Sequence, residues 1–366
     1  MDIRVEAMAR VLARYSLKIK EGEDVFIDGE VDTLPLMKAL YREVLELGGH
    51  PHTVIHDQEF KEMLLKRGSE AQLAREAPVT RLAAEIADVY ITLWGEGNTK
   101  ALSNVDVARI GARVKSSAEL MEIFNRREAE GRLRWCGTQF PTKASAQDAS
   151  MSLSEYQDFV YGACLLDTPD PVAAWRRVAE EQEALCRELN TKKELRIVSD
   201  GTDLRMRVEG RRWVNCCGIQ NFPDGEVFTS PIEDSVEGHI RFSFPGINYG
   251  REVEDIRLAF EKGKVVESSA TKGEDILRQI LTVDEGASRV GEVGIGTNYG
   301  IRRFTRNMLF DEKIGGTVHL AIGRSLPEAL GRNSSTIHWD MLCDMRDKGQ
   351  IWADGELIYR DGKFLI

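Results

Sequence analysis

The hydrophobic pattern of this chain changes once, and that change limits what the chain can fold into. Up to about Asn190, helical and extended segments alternate. From Lys193 onward, short alternating strands follow one another with turn residues between them.

In the first half, Val5, Met8, Val11, Leu12 and Tyr15 recur at helical spacing. Asp24 to Asp28 reads as a short strand stopped by Gly29. Thr33 is placed to cap a helix that holds Pro35 in its first turn and stops at Gly48-Gly49. His52 to His56 is the next strand. Ser69 to Ala77 reads as a polar helix, and Pro78 opens another that reaches Ala87. Asp88 to Trp94 is a third strand, Val105 to Arg127 a helix, and Arg132 to Phe140 a strand closed by Pro141. Ser152 and Glu155 have the spacing of a capping box, so a helix is expected to start there. Pro171 opens one more, to about Leu189. Strands separated by helices pair in parallel. Residues 1–190 are therefore expected to form an α/β domain around an open parallel sheet. Residues 191–366 are expected to form a β-rich α+β domain, with one helix between Thr271 and Leu281. A chain of 366 residues is long enough for two cores.

Charge and composition exclude several classes. The net charge is -11 and no Lys/Arg block stands out, so neither nucleic acid nor an anionic membrane is an expected partner. No apolar run approaches the ~20 residues that span a bilayer. The charged start, Met1 to Glu6, does not read as a signal peptide. The six cysteines include no C-x-x-C pair and suggest reduced thiols in a cytoplasmic protein. Cys216 and Cys217 are expected to face opposite sides of a strand. An open α/β sheet invites a nucleotide. However, Gly95-Glu-Gly97-Asn-Thr-Lys100 lacks the third glycine of a dinucleotide loop and carries an acidic residue in it, and no Walker-type loop exists.

The residues that stand out for chemistry lie in the second half. In Thr336-Ile-His338-Trp-Asp340 an imidazole and a carboxylate are two apart, so on a strand they share a face, as two ligands of one divalent ion would. His319 lies in a strand with glycines at both ends, Gly315-Gly316 and Gly323, where backbone can approach a ligand. Glu226 follows a tight turn and opens a short apolar strand. Glu292 is a lone carboxylate in a run that otherwise reads as buried strand, and burying a carboxylate is costly unless it is paired or metal-bound. His52 and His56 also share a strand face, but no cysteine or acid faces them in sequence, and they read as decoration of that strand. His239 reads as a structural, hydrogen-bonded histidine. Two imidazoles and three carboxylates from four β-segments suit one or two divalent ions. Oxygen and nitrogen ligation without thiolate suits Zn, Co, Mn or Mg in a catalytic site. Two such ions close together lower the pKa of a water and polarise a carbonyl.

These residues sit in longer motifs: Glu226-Val-Phe-Thr-Ser-Pro231, Gly291-Glu292-Val293, Leu309-Phe-Asp-Glu312 followed by His319-Leu-Ala-Ile-Gly323, and Ile337-His338-Trp-Asp340. Pro141-Thr142 and Ala149 to Tyr156 lie upstream. In content and order they resemble the thermophilic metallo-aminopeptidases of the aminopeptidase T, aminopeptidase S and PepS type, over nearly the whole chain. The resemblance implies an aminopeptidase that releases N-terminal residues from peptides. It implies a dinuclear site in a C-terminal metal-binding domain, and a homodimer with a cavity closed from bulk solvent. The family's metal ligands fall on Glu226, Glu292, His319, His338 and Asp340. Glu292 and Glu312 are the candidates to take a proton from the attacking water. One position departs from the family: Leu326 stands where members often carry a tyrosine, seven residues after the first histidine.

Two other functions fit the same residues. His319, His338 and Asp340 alone make a two-histidine, one-carboxylate set suited to mononuclear non-haem iron. The resemblance extends to ring-cleaving dihydroxypyridine dioxygenases of the same fold. Retention of Glu226 and Glu292 argues for two metals instead. A non-catalytic binding protein on this scaffold would be expected to have lost a ligand, and none of the five is lost.

Overall fold

The structure, a computed structural model, describes residues 2–248 and 250–366. The chain divides into two units. One holds the residues up to Trp175 together with Gly218–Pro223, and the other holds Arg176–Cys217 and Asp224–Ile366.

The first unit is an α/β unit around a parallel sheet. Its strands run, in spatial order, His50–His56, Asp24–Glu30, Val89–Trp94, Arg134–Gln139 and Asn221–Phe222. Val25, Ile27, Val89, Ile91, Leu93 and Cys136 are fully buried, as expected of strands covered by crossover helices. The helices begin where capping chemistry allows. Asp57, Ser69, Asp106, Thr142 and Ser152 each accept a backbone N–H of the helix they open, and the Ser152–Glu155 capping box is complete in both directions.

Four local expectations change. Thr33 precedes the helix Leu34–Glu46 without capping it, since its hydroxyl donates to the Glu30 carbonyl at 2.7 Å. The first strand passes through Gly29 and ends at Glu30. Gly29 is needed for space there, since a Cβ would lie 2.4 Å from Thr33 Oγ1. The expected 105–127 helix is two, Val107–Ser116 and Ala118–Ala129, broken at Ser117. The polar helix after Ser69 is one turn, Glu70–Leu73.

The second unit is β-rich. An antiparallel eight-stranded sheet runs in the order Lys264–Ser269, Ile256–Glu261, Glu237–Phe242, Thr202–Arg207, Glu194–Ser199, Gln350–Ala353, Glu356–Arg360 and Lys363–Phe364. A five-stranded antiparallel sheet runs His338–Asp344, Thr317–Gly323, Val290–Gly296, Glu226–Thr229 and Val214–Cys216. One apolar cluster draws residues from both sheets, among them Ile197, Leu204, Phe242, Leu258, Val293, Leu320, Met341 and Ile351. Asp255 adopts a positive φ of 49° and separates two short strands, Arg251–Val253 and Ile256–Glu261.

Candidate metal centre

In a strand, alternate side chains point to opposite faces, and residues paired across the ladder share a face. In the five-stranded sheet this rule separates apolar side chains from the candidate ligands. Val318, Leu320 and Ile322, with Trp339, Met341, Cys343, Val293, Ile295 and Val227, face the apolar cluster. On the opposite face the register places His338 across from Gly323, Asp340 and Glu292 beside Ala321, His319 beside Gly294, and Glu226 across from Gly296.

Two backbone features make room for this arrangement. A Cβ on Gly294 would lie 2.0 Å from His319 Nε2, so only glycine leaves space for the imidazole. The second feature is a β-bulge between Val290 and Glu292. By simple alternation Val290 and Glu292 would share one face of the strand. The extra residue, Gly291, puts Val290 on the core side and Glu292 on the opposite face, and Ser230 Oγ donates to the Gly291 carbonyl at 2.7 Å.

The five side chains form a continuous row. His319 Nε2 lies 3.3 Å from Glu226 Oε2 and 3.3 Å from Glu292 Oε1. His338 Nε2 lies 3.4 Å from Glu292 Oε2 and 3.4 Å from Asp340 Oδ2. Glu292 thus offers one oxygen to each imidazole. His338 Nδ1 meets the Arg324 carbonyl at 2.8 Å, which fixes the proton on Nδ1 and leaves the Nε2 lone pair for the acidic side.

The charges lean on one another. Burial pushes the Glu226 carboxyl up to about 8 and that of Asp340 up to about 6. Glu292 is held down at about 2: burial opposes this, but hydrogen bonds from His319 and His338 outweigh it. Burial likewise works against the imidazolium forms, yet the facing carboxylates raise His319 to about 9 and His338 to about 10. A divalent cation at this face would compete with protons for the imidazole nitrogens.

The residues fit such a cation. Two donors held about 2.1 Å from one ion at a tetrahedral angle stand roughly 3.4 Å apart, the separation seen here and a long one for a hydrogen bond. Glu226 Oε2, His319 Nδ1 and Asp340 Oδ1 are buried with no hydrogen-bond partner among the described residues. Cys216 lies across the ladder from Glu226, and its thiol is pushed well above the ordinary value by burial and by the Asp224 and Glu226 charges.

Glu312 follows the short helix Met308–Asp311 and reaches the same region, its carboxylate in contact with Lys313 Nζ. Lys313 was not singled out from sequence, because a lysine in a turn ordinarily reads as solvated. Gln182 was also missed. Its Nε2 donates to the Glu226 and Cys216 carbonyls, each at 2.9 Å, and pins the strand that carries Glu226. Leu326 is half-buried at the start of the turn Pro327–Ala329. The N-terminal histidines are engaged elsewhere: His52 Nε2 pairs with Asp24 and His56 Nε2 with Asp28, each at 2.8 Å.

A fold of this kind, with two imidazoles and three carboxylates converging on one buried sheet face, defines a metal-dependent enzyme. The chain belongs to the thermophilic metalloprotease family M29, whose model matches residues 1–364. It is 27% identical to aminopeptidase T of Thermus thermophilus, over 98% of this chain and 95% of that protein. The solved structure of wild-type AmpT from Thermus thermophilus shares the fold, with a TM-score of 0.87 at 24% identity over 100% of this chain and 99% of the other. A 2,5-dihydroxypyridine dioxygenase from Pseudomonas putida KT2440 is more distant, with a TM-score of 0.59 at 14% identity over 100% and 98% of the chains.

Proposed function

We propose that this chain is an aminopeptidase that works with two divalent ions held by Glu226, Glu292, His319, His338 and Asp340. The observation that carries this reading is the position of Glu292, with one carboxylate oxygen toward each imidazole. One set is then Glu226, His319 and Glu292, and the other is Glu292, His338 and Asp340. When bound, Zn, Co, Mn or Mg supplies Lewis acidity that activates a water and polarises the scissile carbonyl.

The chain's own groups do the rest. Both oxygens of Glu292 would be taken up in holding the ions, so a carboxylate oxygen of Glu312 would accept the proton of the attacking water. Carboxylates on the ligand face attract the free N-terminal amine of a peptide, which an N-acetyl group would remove. The aminopeptidase relative supports this substrate class. We further propose a cytoplasmic homodimer. The free state of all six cysteines fits that compartment, and light scattering tests the dimer. Among the described residues, no helix is long and apolar enough to cross a membrane.

The deciding assay compares an unblocked peptide with its N-acetylated form, on metal-depleted and metal-reloaded protein. Turnover of the free peptide alone, restored by metal, is expected. Equal cleavage of both peptides, or turnover indifferent to metal, would refute the reading. The second reading is a mononuclear iron oxygenase, which rests on the His319, His338 and Asp340 subset and on the dioxygenase fold likeness. It predicts oxygen uptake with an aromatic substrate.

A further inference from the structure

Lys313 has a side chain with no exposed surface, an uncommon state for lysine. It sits among three carboxylates: its Nζ touches Glu312 Oε1 and lies 3.6 Å from Glu226 Oε1 and 3.9 Å from Asp224 Oδ1. The backbone of Lys313 is held on both sides, since its N–H donates to the Phe310 carbonyl and its own carbonyl accepts from Asn298 N–H. The ammonium is therefore placed by the fold.

Resting on the function proposed above, we propose that Lys313 is a positioning residue of the metal centre. Its ammonium takes one oxygen of Glu226, leaving the other to face the ion, and it holds the Glu312 carboxylate where that group accepts a proton. Three observations meet here. First, the two Glu226 oxygens are divided: Oε1 faces Lys313, and Oε2 faces His319 with no hydrogen-bond partner among the described residues. A ligand split in this way binds an ion through one oxygen. Second, potential ligand atoms of Cys216, Asp224 and Glu226 lie within 4.8 Å of one another, a group that could itself hold a cation. The ammonium beside Asp224 and Glu226 supplies positive charge there by covalent attachment, which keeps a further divalent ion from competing for Glu226. Third, the charges close. Asp224, Glu226, Glu292, Glu312 and Asp340 carry five negative charges, two divalent ions carry four positive ones, and Lys313 carries the fifth. A buried site is stable only near neutrality.

The test uses the full-length protein with Lys313→Met, which keeps the length of the side chain and removes its charge. Metal affinity is measured by chelator competition, and kcat and KM on an unblocked peptide. With the ammonium gone, cations are expected to bind at least as tightly as in the wild type, by roughly 10-fold more. The kcat is expected to fall by roughly 100-fold or more, with KM within a few-fold. Glu312→Gln should lose kcat to a similar extent with no gain in metal affinity, and the double variant should be no slower than either single one.

A purely structural lysine would instead lower metal affinity, kcat and melting temperature together. That result, or wild-type kcat in Lys313→Met, would overturn the proposal. Should Lys313→Met fail to fold, Glu312→Gln decides, since wild-type turnover there would show that the carboxylate Lys313 is proposed to hold accepts no proton, which overturns the proposal. If the wild-type protein itself shows no metal-dependent hydrolysis, the aminopeptidase reading falls, and the affinity measurement still decides whether Lys313 opposes a further cation.

Discussion

Glu292 shares its two oxygens between two imidazoles, one on each side of it in the row. Glu292→Gln is expected to reduce bound metal below one ion per chain. Asp340→Asn, at one end of the row, should leave about one ion in place. Elemental analysis of the two variants separates a shared ligand from two independent ones. Part of this was legible in sequence: a lone glutamate in a buried apolar run needs a partner, and His338 and Asp340 two apart announce a shared face. Lys313 was not legible, because burial of a turn residue is decided by contacts distant in sequence. The N-terminal histidines give the pH prediction. The His56 pKa is raised above its ordinary 6.5 by its hydrogen bond to Asp28, against the opposing effect of burial. A raised histidine pKa stabilises the fold below the unfolded value, and that contribution disappears as pH rises through the folded value. The stability difference between wild type and His56→Gln should therefore be largest near pH 6 and shrink toward pH 9 in urea unfolding, by less than ~1 kcal/mol for so exposed a pair.

At the scale of elements, the strand that carries Glu292 has one irregularity. In a regular strand Val290 would share a face with Glu292, Gly294 and Gly296, away from the core that Val293 and Ile295 face. The bulge at Gly291 lets Val290 reach the core while Glu292 keeps the opposite face, and a Cβ at Gly291 would lie 2.4 Å from the Arg324 carbonyl oxygen. Alternation of Val293 and Ile295 with the glycines already assigns Glu292 to that face, but nothing in the sequence reveals the bulge. Ser230 is buried and holds the bulge through the Gly291 carbonyl. Ser230→Ala is expected to cost about 1 kcal/mol, a fall of roughly 2–4 °C in melting temperature, and to weaken metal binding as Glu292 loosens. Elsewhere the elements were readable where local chemistry is strong. The Ser152–Glu155 capping box and the prolines at 35, 78 and 171 marked helix starts that the structure shares. The break at Ser117 was not readable, because the apolar residues on either side keep helical spacing through it.

For the whole molecule, the change of pattern near residue 190 announced an α/β unit followed by a β-rich one. The return of residues 218–223 to the parallel sheet was hidden, since a two-residue strand leaves no periodicity to read. A metal that binds only the folded second unit stabilises it by mass action, by about 2.7 kcal/mol at a hundred times the dissociation constant. Calorimetry with and without chelator should show a loss of roughly 5–10 °C on metal removal. The central claim is that the row from Glu226 to Asp340 holds two ions that the chemistry requires. Its most direct test is metal content on protein purified without added metal, followed by titration of the stripped chain with peptide hydrolysis as the readout. Two Zn, Co, Mn or Mg ions per chain, with turnover of unblocked peptides rising as they bind, is the predicted result. One iron per chain with oxygen consumption, or no bound ion at any concentration, would contradict it.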